Sequence, residues 1–256
     1  MEGPDPLAEE IRTRLTSRQP VSDEQFDQLL PVRPRIRSAS YWSSVEVAQT
    51  ASRWLTEAGA QRVLDVGSGV GKFCSIAALS SSRRVWGVEL RPDLALAARQ
   101  LAQRLGAEVV ILDGTLESVD PGRFDAFYFF NPFAEHLAEV HERYDERFPA
   151  SVDGFINDVR IVERWLRAAP IGTAMVSYNG LGGRIPLSWV VEKSDLVNGD
   201  HLRLWVKRGL DDSNDAIIEV NEYLLPASRL ASLIHGGDPR VKGNSLVARL
   251  VSPGSS

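Results

Sequence analysis

Three carboxylates in this sequence close three successive apolar runs, and the first is followed by three glycines. The segment Asp65-Val66-Gly67-Ser68-Gly69-Val70-Gly71 joins the apolar run 62–66 to a stretch with helical spacing. Glycines at such a junction permit a tight turn and let a ligand approach the backbone closely. In open α/β sheets, ligands bind beyond the C-terminal strand ends, where strand order reverses. Glu89 ends the second run and Asp113-Gly114 follows the third. Phe130-Asn131-Pro132-Phe133 ends the fourth. Spacing separates the cofactor classes that use such loops. A phosphate loop needs G-x-x-x-x-G-K-[ST]. Here Gly67 is one residue too close to Gly71-Lys72, and Phe73 replaces the hydroxyl that would hold magnesium. A dinucleotide loop needs G-x-G-x-x-G/A. Here the third glycine falls one position early, at Gly71, with Lys72 after it.

The remaining pattern, acidic-x-G-x-G-x-G, resembles the first motif of the seven-strand S-adenosylmethionine methyltransferases. The resemblance implies a Rossmann-like, doubly wound, mostly parallel seven-strand sheet with an antiparallel strand near the C-terminus. It implies S-adenosylmethionine as cofactor, held by Asp65, Gly67, Ser68, Gly69, Gly71, Glu89, Asp113, Gly114 and Asn131. Asp65 would lie near the cofactor's ammonium, which a carboxylate favours electrostatically. Glu89 either caps the next helix or accepts both ribose hydroxyls in a bidentate way, and the glycine loop favours the ribose. Asp113 would reach the adenine amino group, or serve as a turn residue beside Gly114. Asn131-Pro132-Phe133 resembles the [DNS]-P-P-[YFW] signature of amino-group methyltransferases with one proline missing. Asn131 and Phe133 are therefore the catalytic candidates. Asn131 would accept a hydrogen bond from a nucleophilic amine and Phe133 would pack against the reacting group.

Read together, Gly67–Gly71, Gly87-Val88-Glu89, Asn131-x-Phe133 and Val176-Ser177 look like the non-SET histone-lysine methyltransferases, over roughly residues 40–180. Pro132 stands where that group has Asn, and the chain is acidic, so histone is not carried over as substrate. Tyr41-Trp42-Ser43-Ser44 occupies the position of that group's N-terminal substrate loop. It would form a lid over the cofactor or pack against the sheet edge.

The elements that must position these residues follow from periodicity. Short helices are predicted at 5–16 and 22–29. Pro31 and Pro34 argue against helix across 31–37, where Arg33, Arg35 and Arg37 are a solvated linker or a phosphate contact. An amphipathic helix is predicted at 43–59, capped by Ser43 or Ser44, and another at 71–80. The strand at 85–90 precedes a helix at 92–105 whose buried side carries Leu94, Leu96, Ala97, Leu101 and Leu105. Strands follow at 108–112 and 124–130, then a helical stretch over 134–168 broken near Pro149. A strand is expected at 173–178 and a hairpin at 187–209 turning on Asn198-Gly199-Asp200. Strands alternating with helices imply a parallel doubly wound sheet. Further strands are expected at 217–225 and 245–251, with a disordered tail at 252–256. The expected division is an extension at 1–40, a methyltransferase domain at 41–225 and a C-terminal extension at 226–256.

Composition narrows the class. The chain has 256 residues, 43% hydrophobic and 25% charged, which is ordinary for a globular protein with a full core. Its one cysteine, Cys74, has no partner for an intrachain disulfide and points to a reducing compartment. Neither a signal peptide nor a membrane-length apolar run is evident, so a cytoplasmic protein is expected. A formal charge of −5 disfavours nucleic acid as partner, and places a protein side chain or a small molecule ahead as acceptor. With one cysteine and four histidines, no metal site is expected. His136 and His141 are five apart and do not share a helical face. Gly180–Arg184 is a pocket border or a connector. Residues 127–130 read as core, and Arg160, Arg164 and Arg167 as a solvated face. The rivals to methyl transfer are an NAD(P)-dependent oxidoreductase and a non-catalytic S-adenosylmethionine-binding module.

Overall fold

The computed structural model describes residues 5–147, 149–211, 216–220 and 223–226. The chain begins with α1 (Pro6–Thr16), α2 (Asp23–Asp27), α3 (Val32–Ile36), α4 (Ser38–Tyr41) and α5 (Val45–Glu57). Strands and helices then alternate through β1 (Val63–Val66), α6 (Lys72–Ser81), β2 (Val85–Glu89), α7 (Pro92–Leu105), β3 (Val109–Asp113) and β4 (Ala126–Phe130). After α8 (Val152–Ala168) come β5 (Ala174–Tyr178), β6 (Arg184–Pro186), β7 (Trp189–Val197) and β8 (Asp200–Lys207). β9 (Ala216–Val220) and β10 (Tyr223–Pro226) pair antiparallel, and β9 also pairs with β6.

The main sheet has seven strands in the order β3-β2-β1-β4-β5-β8-β7. The first five run parallel, and β8 runs antiparallel to both β5 and β7. This is the doubly wound arrangement with a C-terminal antiparallel strand that the motif order implied. Strand order reverses between β1 and β4, which opens a crevice above their C-terminal ends. Successive residues of β4 alternate between the two faces. Tyr128 stacks on Phe73 of α6 at 3.7 Å on one side. Phe127 and Phe129 enter the other core with α8. Ala8, Ile11 and Leu15 of α1 are buried in the same core as α5, α6 and α7.

Where local signals are complete, sequence and structure coincide. Pro92 opens α7 and Gly106 closes it at φ +59°. Ser44 caps α5 by accepting from Val47 N. Asn198 and Gly199, at φ +52° and +89°, turn the β7–β8 hairpin in the left-handed geometry that twisted strands require.

Four expectations are corrected. Residues 32–36 are helical despite two prolines. Pro31 precedes the helix and Pro34 lies in its first turn, where a backbone N–H has no intrahelical acceptor to lose. Leu96 is exposed on α7 rather than buried, because the buried positions 94, 95, 97, 98, 101, 102 and 105 lie on the opposite side of the helix from it. Residues 134–147 and 149–151 form 3-10 turns, bends and irregular chain instead of α-helix. Acidic side chains there take up backbone donors: Glu135 accepts from Tyr144 N and Asp145 N, and Glu142 from Glu139 N. Such bonds compete with the helical ladder. The single strand expected at 217–225 is the β9–β10 hairpin. The expectations at 245–256 lie outside the described residues.

Candidate active site

The three loop glycines all adopt left-handed backbone, at φ +76°, +54° and +71° for Gly67, Gly69 and Gly71. Side chains elsewhere press on each. A methyl group at Gly67 would lie 3.3 Å from Pro132 Cβ, and one at Gly71 would lie 2.9 Å from Ala98 Cβ. The loop is thus wedged between the end of β4 and α7. Its amides are held from β2: Gly67 N and Ser68 N both donate to the Val88 carbonyl at 3.0 Å. Gly69 N donates to Glu89 Oε2 at 2.8 Å.

A cleft of about 820 Å³ runs along the C-terminal strand ends. Each strand from β3 to β5 delivers a residue to it: Gly114, Glu89, Gly67, Asn131 and Asn179, in sheet order. Phe133 also lines it, beside Phe155. Tyr41 and Trp42 roof it, with ring centroids 5.8 Å apart and 5.6 and 5.7 Å from that of Tyr144. The Tyr41 hydroxyl donates to the Glu142 carbonyl, which ties α4 to the loop after β4. Arg33 donates to the Tyr144 carbonyl at 2.7 Å and lies over its ring, so this arginine is a structural clamp.

Five of the sequence candidates do not face the cleft. Asp65 is buried beneath the loop, where it accepts from the Cys74 thiol at 3.2 Å. Burial raises its pKa to about 7; the thiol bond opposes that rise and the charge of Glu89 adds to it. Ser68 is buried with its Oγ unpartnered among the described residues. Gly69 is covered by Trp42, and Gly71 by α7. Asp113 turns outward and pairs with Arg99 at 3.8 Å.

Glu89 both stabilises the loop and faces the cleft. Its Oε1 accepts from Arg91 N at 2.9 Å, so it also holds the entry to α7. Burial raises its pKa, while the Arg91 amide and guanidinium and the Gly69 amide act against that rise. Each carboxylate oxygen carries two lone pairs, so each can accept a further hydrogen bond from the cleft.

At the other end, Asn131 has φ +39° and its backbone N donates to the Gly180 carbonyl at 3.2 Å. Its carboxamide has no hydrogen-bond partner among the described residues. Asn179, at φ +57°, stands beside it at the end of β5 and was not singled out from sequence. The signal available was the Asn-Gly pair after a strand. The connector Gly180–Arg184 otherwise packs away from the cleft: Gly182 and Gly183 lie against α8, and Arg184 N donates to Glu163 Oε1. His136 lines the wall, with Nε2 3.1 Å from Asp158 Oδ2 and Nδ1 accepting from Ser151 N. Glu135 pairs with Arg91. Among the described residues, the cleft presents five carboxylates and two guanidinium groups.

The residues present fit S-adenosylmethionine at its nucleoside end. The cleft volume falls within the range of small-molecule sites. Glu89 offers paired acceptors for vicinal hydroxyls. At Gly67 the three atoms nearest to the space a side chain would fill all belong to Pro132, at 3.3–3.7 Å. Residues 63–146 match the model of a methyltransferase domain. No curated protein sequence matches the chain. Similar solved structures include an RNA methyltransferase from Salinibacter ruber in complex with S-adenosyl-L-homocysteine. It is 19% identical, with 69% of this chain and 95% of that one covered and a TM-score of 0.45. An O-methyltransferase from Bacillus cereus, also in complex with S-adenosylhomocysteine, is 13% identical over 77% of this chain and 97% of that one, with a TM-score of 0.49. Residues 63–146, which include the glycine loop and β1 to β4, thus match a methyltransferase domain, and the β3-β2-β1-β4-β5 order is that of a Rossmann-like fold.

Proposed function

We propose that the protein methylates an amine nitrogen on a small molecule or an amino-acid side chain. The observation that carries this reading is the Asn131 carboxamide. It stands in the cleft between Gly67 and Phe133 and makes no hydrogen bond to the rest of the described chain. When bound, S-adenosylmethionine supplies a methyl group on a sulfonium sulfur, and that cofactor carries the difficult chemistry.

What remains for the chain is to hold and align. Glu89 would accept the ribose hydroxyls, and the backbone at Gly114 and the Leu116 side chain would border the adenine. Asn131 Oδ1 would accept an N–H from the incoming amine and leave its lone pair toward the methyl group. An amine must be neutral to attack, and a carboxamide oxygen orients it without supplying a proton. Phe133 would pack beside the reacting group and help exclude water. Positioning of this kind is worth about 7–11 kcal/mol of barrier, so no strong general base is required. The excess of carboxylates on the cleft walls favours an amine over a phosphate-bearing substrate. The roof made by Tyr41 and Trp42 suits a small acceptor or a slender side chain. The likeness to the non-SET histone-lysine methyltransferases rests on motif residues alone, and the acceptor is not taken from it.

The test is calorimetric titration with S-adenosylhomocysteine, followed by methyl transfer to panels of amines and of hydroxyl compounds. Glu89→Ala should weaken S-adenosylhomocysteine binding at least tenfold. Asn131→Ala should bind it normally and lose at least tenfold in turnover of amines. Turnover of hydroxyl compounds alone, or full amine turnover by Asn131→Ala, overturns the reading.

A further inference from the structure

Asn131 has a twin. β4 and β5 are parallel neighbours, with Phe130 opposite Tyr178. The next residue on each strand is an asparagine, Asn131 and Asn179. Both have left-handed backbone, at φ +39° and +57°. Left-handed backbone is uncommon outside glycine, although asparagine tolerates it best. Adopting it here takes both residues off their strands at the rim of the cleft, and both line it. The Asn131 N to Gly180 carbonyl bond of 3.2 Å fixes the two strand ends together. Neither carboxamide has a hydrogen-bond partner among the described residues. Their polarity is therefore available to whatever enters the cleft.

We propose that Asn179 and Asn131 act as a pair of acceptors that selects a primary amine, and that Asn179 is the specificity-determining member. This rests on the reading of Asn131 given above and extends it. A neutral primary amine has two N–H groups and one lone pair. Two carboxamide oxygens take the two N–H groups, and the lone pair then has one direction left. A secondary amine has one N–H and makes only one of these two hydrogen bonds, while the other oxygen, half-buried at Asn131 or exposed at Asn179, turns to water, so the preference is the net worth of one hydrogen bond. A tertiary amine engages neither oxygen. The pair therefore favours an unmethylated amine over its methylated product, and the expected product carries one added methyl group.

The test separates the carboxamide from the backbone. Asn179→Gly keeps the left-handed geometry and removes the side chain, and Asn131→Gly does the same on β4. The first readout is nuclear magnetic resonance of the asparagine side-chain amides in protein saturated with S-adenosylhomocysteine, assigned from the two variants. 2,2,2-Trifluoroethylamine, which is neutral at pH 8, should shift both signals there, and its N,N-dimethyl derivative, also neutral and without an N–H, should shift neither. The second readout is the product distribution with the best amine substrate. Asn179→Gly should keep its affinity for S-adenosylhomocysteine, lose at least tenfold in kcat/KM for primary amines, and lose at least tenfold of the preference for primary over secondary amines. If 2,2,2-trifluoroethylamine shifts Asn131 alone, or if Asn179→Gly keeps the parent's rate and preference, this inference fails while the role of Asn131 stands. If S-adenosylhomocysteine does not bind, or neither signal moves, the underlying reading fails with it.

Discussion

The ring of Trp42 lies directly on Gly69. A methyl group at that glycine would fall 2.2 Å from Trp42 Cζ3 and 2.7 Å from Cε3. The contact joins the N-terminal segment to the middle of the cofactor loop, 27 residues away along the chain. Trp42 is held there by its Nε1, which donates to the Pro34 carbonyl at 3.1 Å, and by the rings of Tyr41 and Tyr144. It explains why Gly69 is absent from the cleft surface although its neighbour Gly67 is exposed there.

Gly69→Ala therefore meets two obstacles: the clash with the ring and a left-handed φ of +54°, which costs a residue with a Cβ about 1–2 kcal/mol. The expected result is displacement of Trp42, visible as a change in tryptophan emission, together with at least tenfold weaker binding of S-adenosylhomocysteine. Trp42→Ala in the same background removes the clash and should restore part of the affinity. If Gly69→Ala binds as the parent does and leaves the emission unchanged, the contact has no bearing on the loop.

What could be read from the sequence was local. The glycine loop, the strand ends at Glu89 and Asn131, α7 between Pro92 and Gly106, and the Asn198-Gly199 turn each carry their signal within a few residues. What could not be read depends on partners far along the chain. Asp65 has the right position in the pattern, yet its carboxylate is buried and accepts from the Cys74 thiol, a partner nine residues on. Asp113 has the right strand end, yet Arg99 of α7 draws it outward. The stretch from 134 reads as helical, yet Glu135 accepts from backbone amides nine and ten residues on and Glu142 from one three residues back. Asn179 announces a turn, but only the register of β5 against β4 places it beside Asn131.

Lys72 supplies a second link between the N-terminal segment and the core. Its side chain is 2% exposed, and Nζ lies 2.7 Å from Asp23 Oδ1 and 2.6 Å from Asp27 Oδ1. Ser38 Oγ is 3.3 Å away and the Phe26 ring 5.6 Å away. Asp23 also accepts from Val45 N at 2.9 Å, so one buried ammonium ties α2 and α4 to the start of α6. Removing one partner of a buried ion pair costs about 3–5 kcal/mol. The carboxylates here are partly solvated, so Lys72→Met should cost nearer to 2 kcal/mol. Hydrogen exchange should rise across residues 23–42 before it rises in the sheet. An unchanged Tm with unchanged exchange in that segment would sink the idea that Lys72 anchors it.

Asp65 makes stability depend on pH in an unusual direction. Its carboxyl titrates near 3.8 in an ordinary setting and at about 7 in the fold, chiefly because it is buried. Between those values the folded protein keeps a proton that the unfolded chain has released. Its contribution to stability is therefore greatest below about pH 4, falls as pH rises toward 7, and levels off above that. At 1.36 kcal/mol per unit the full fall is roughly 4 kcal/mol. Asp65→Asn retains an acceptor for the Cys74 thiol and removes the ionisation. The variant should gain stability over the parent as pH rises, with a Tm advantage at pH 8 several degrees larger than at pH 5. Chemical denaturation of both proteins at pH 5, 6.5 and 8 measures this directly. A parent–variant difference that stays constant across those three pH values would mean that Asp65 is already ionised in the folded protein at pH 5.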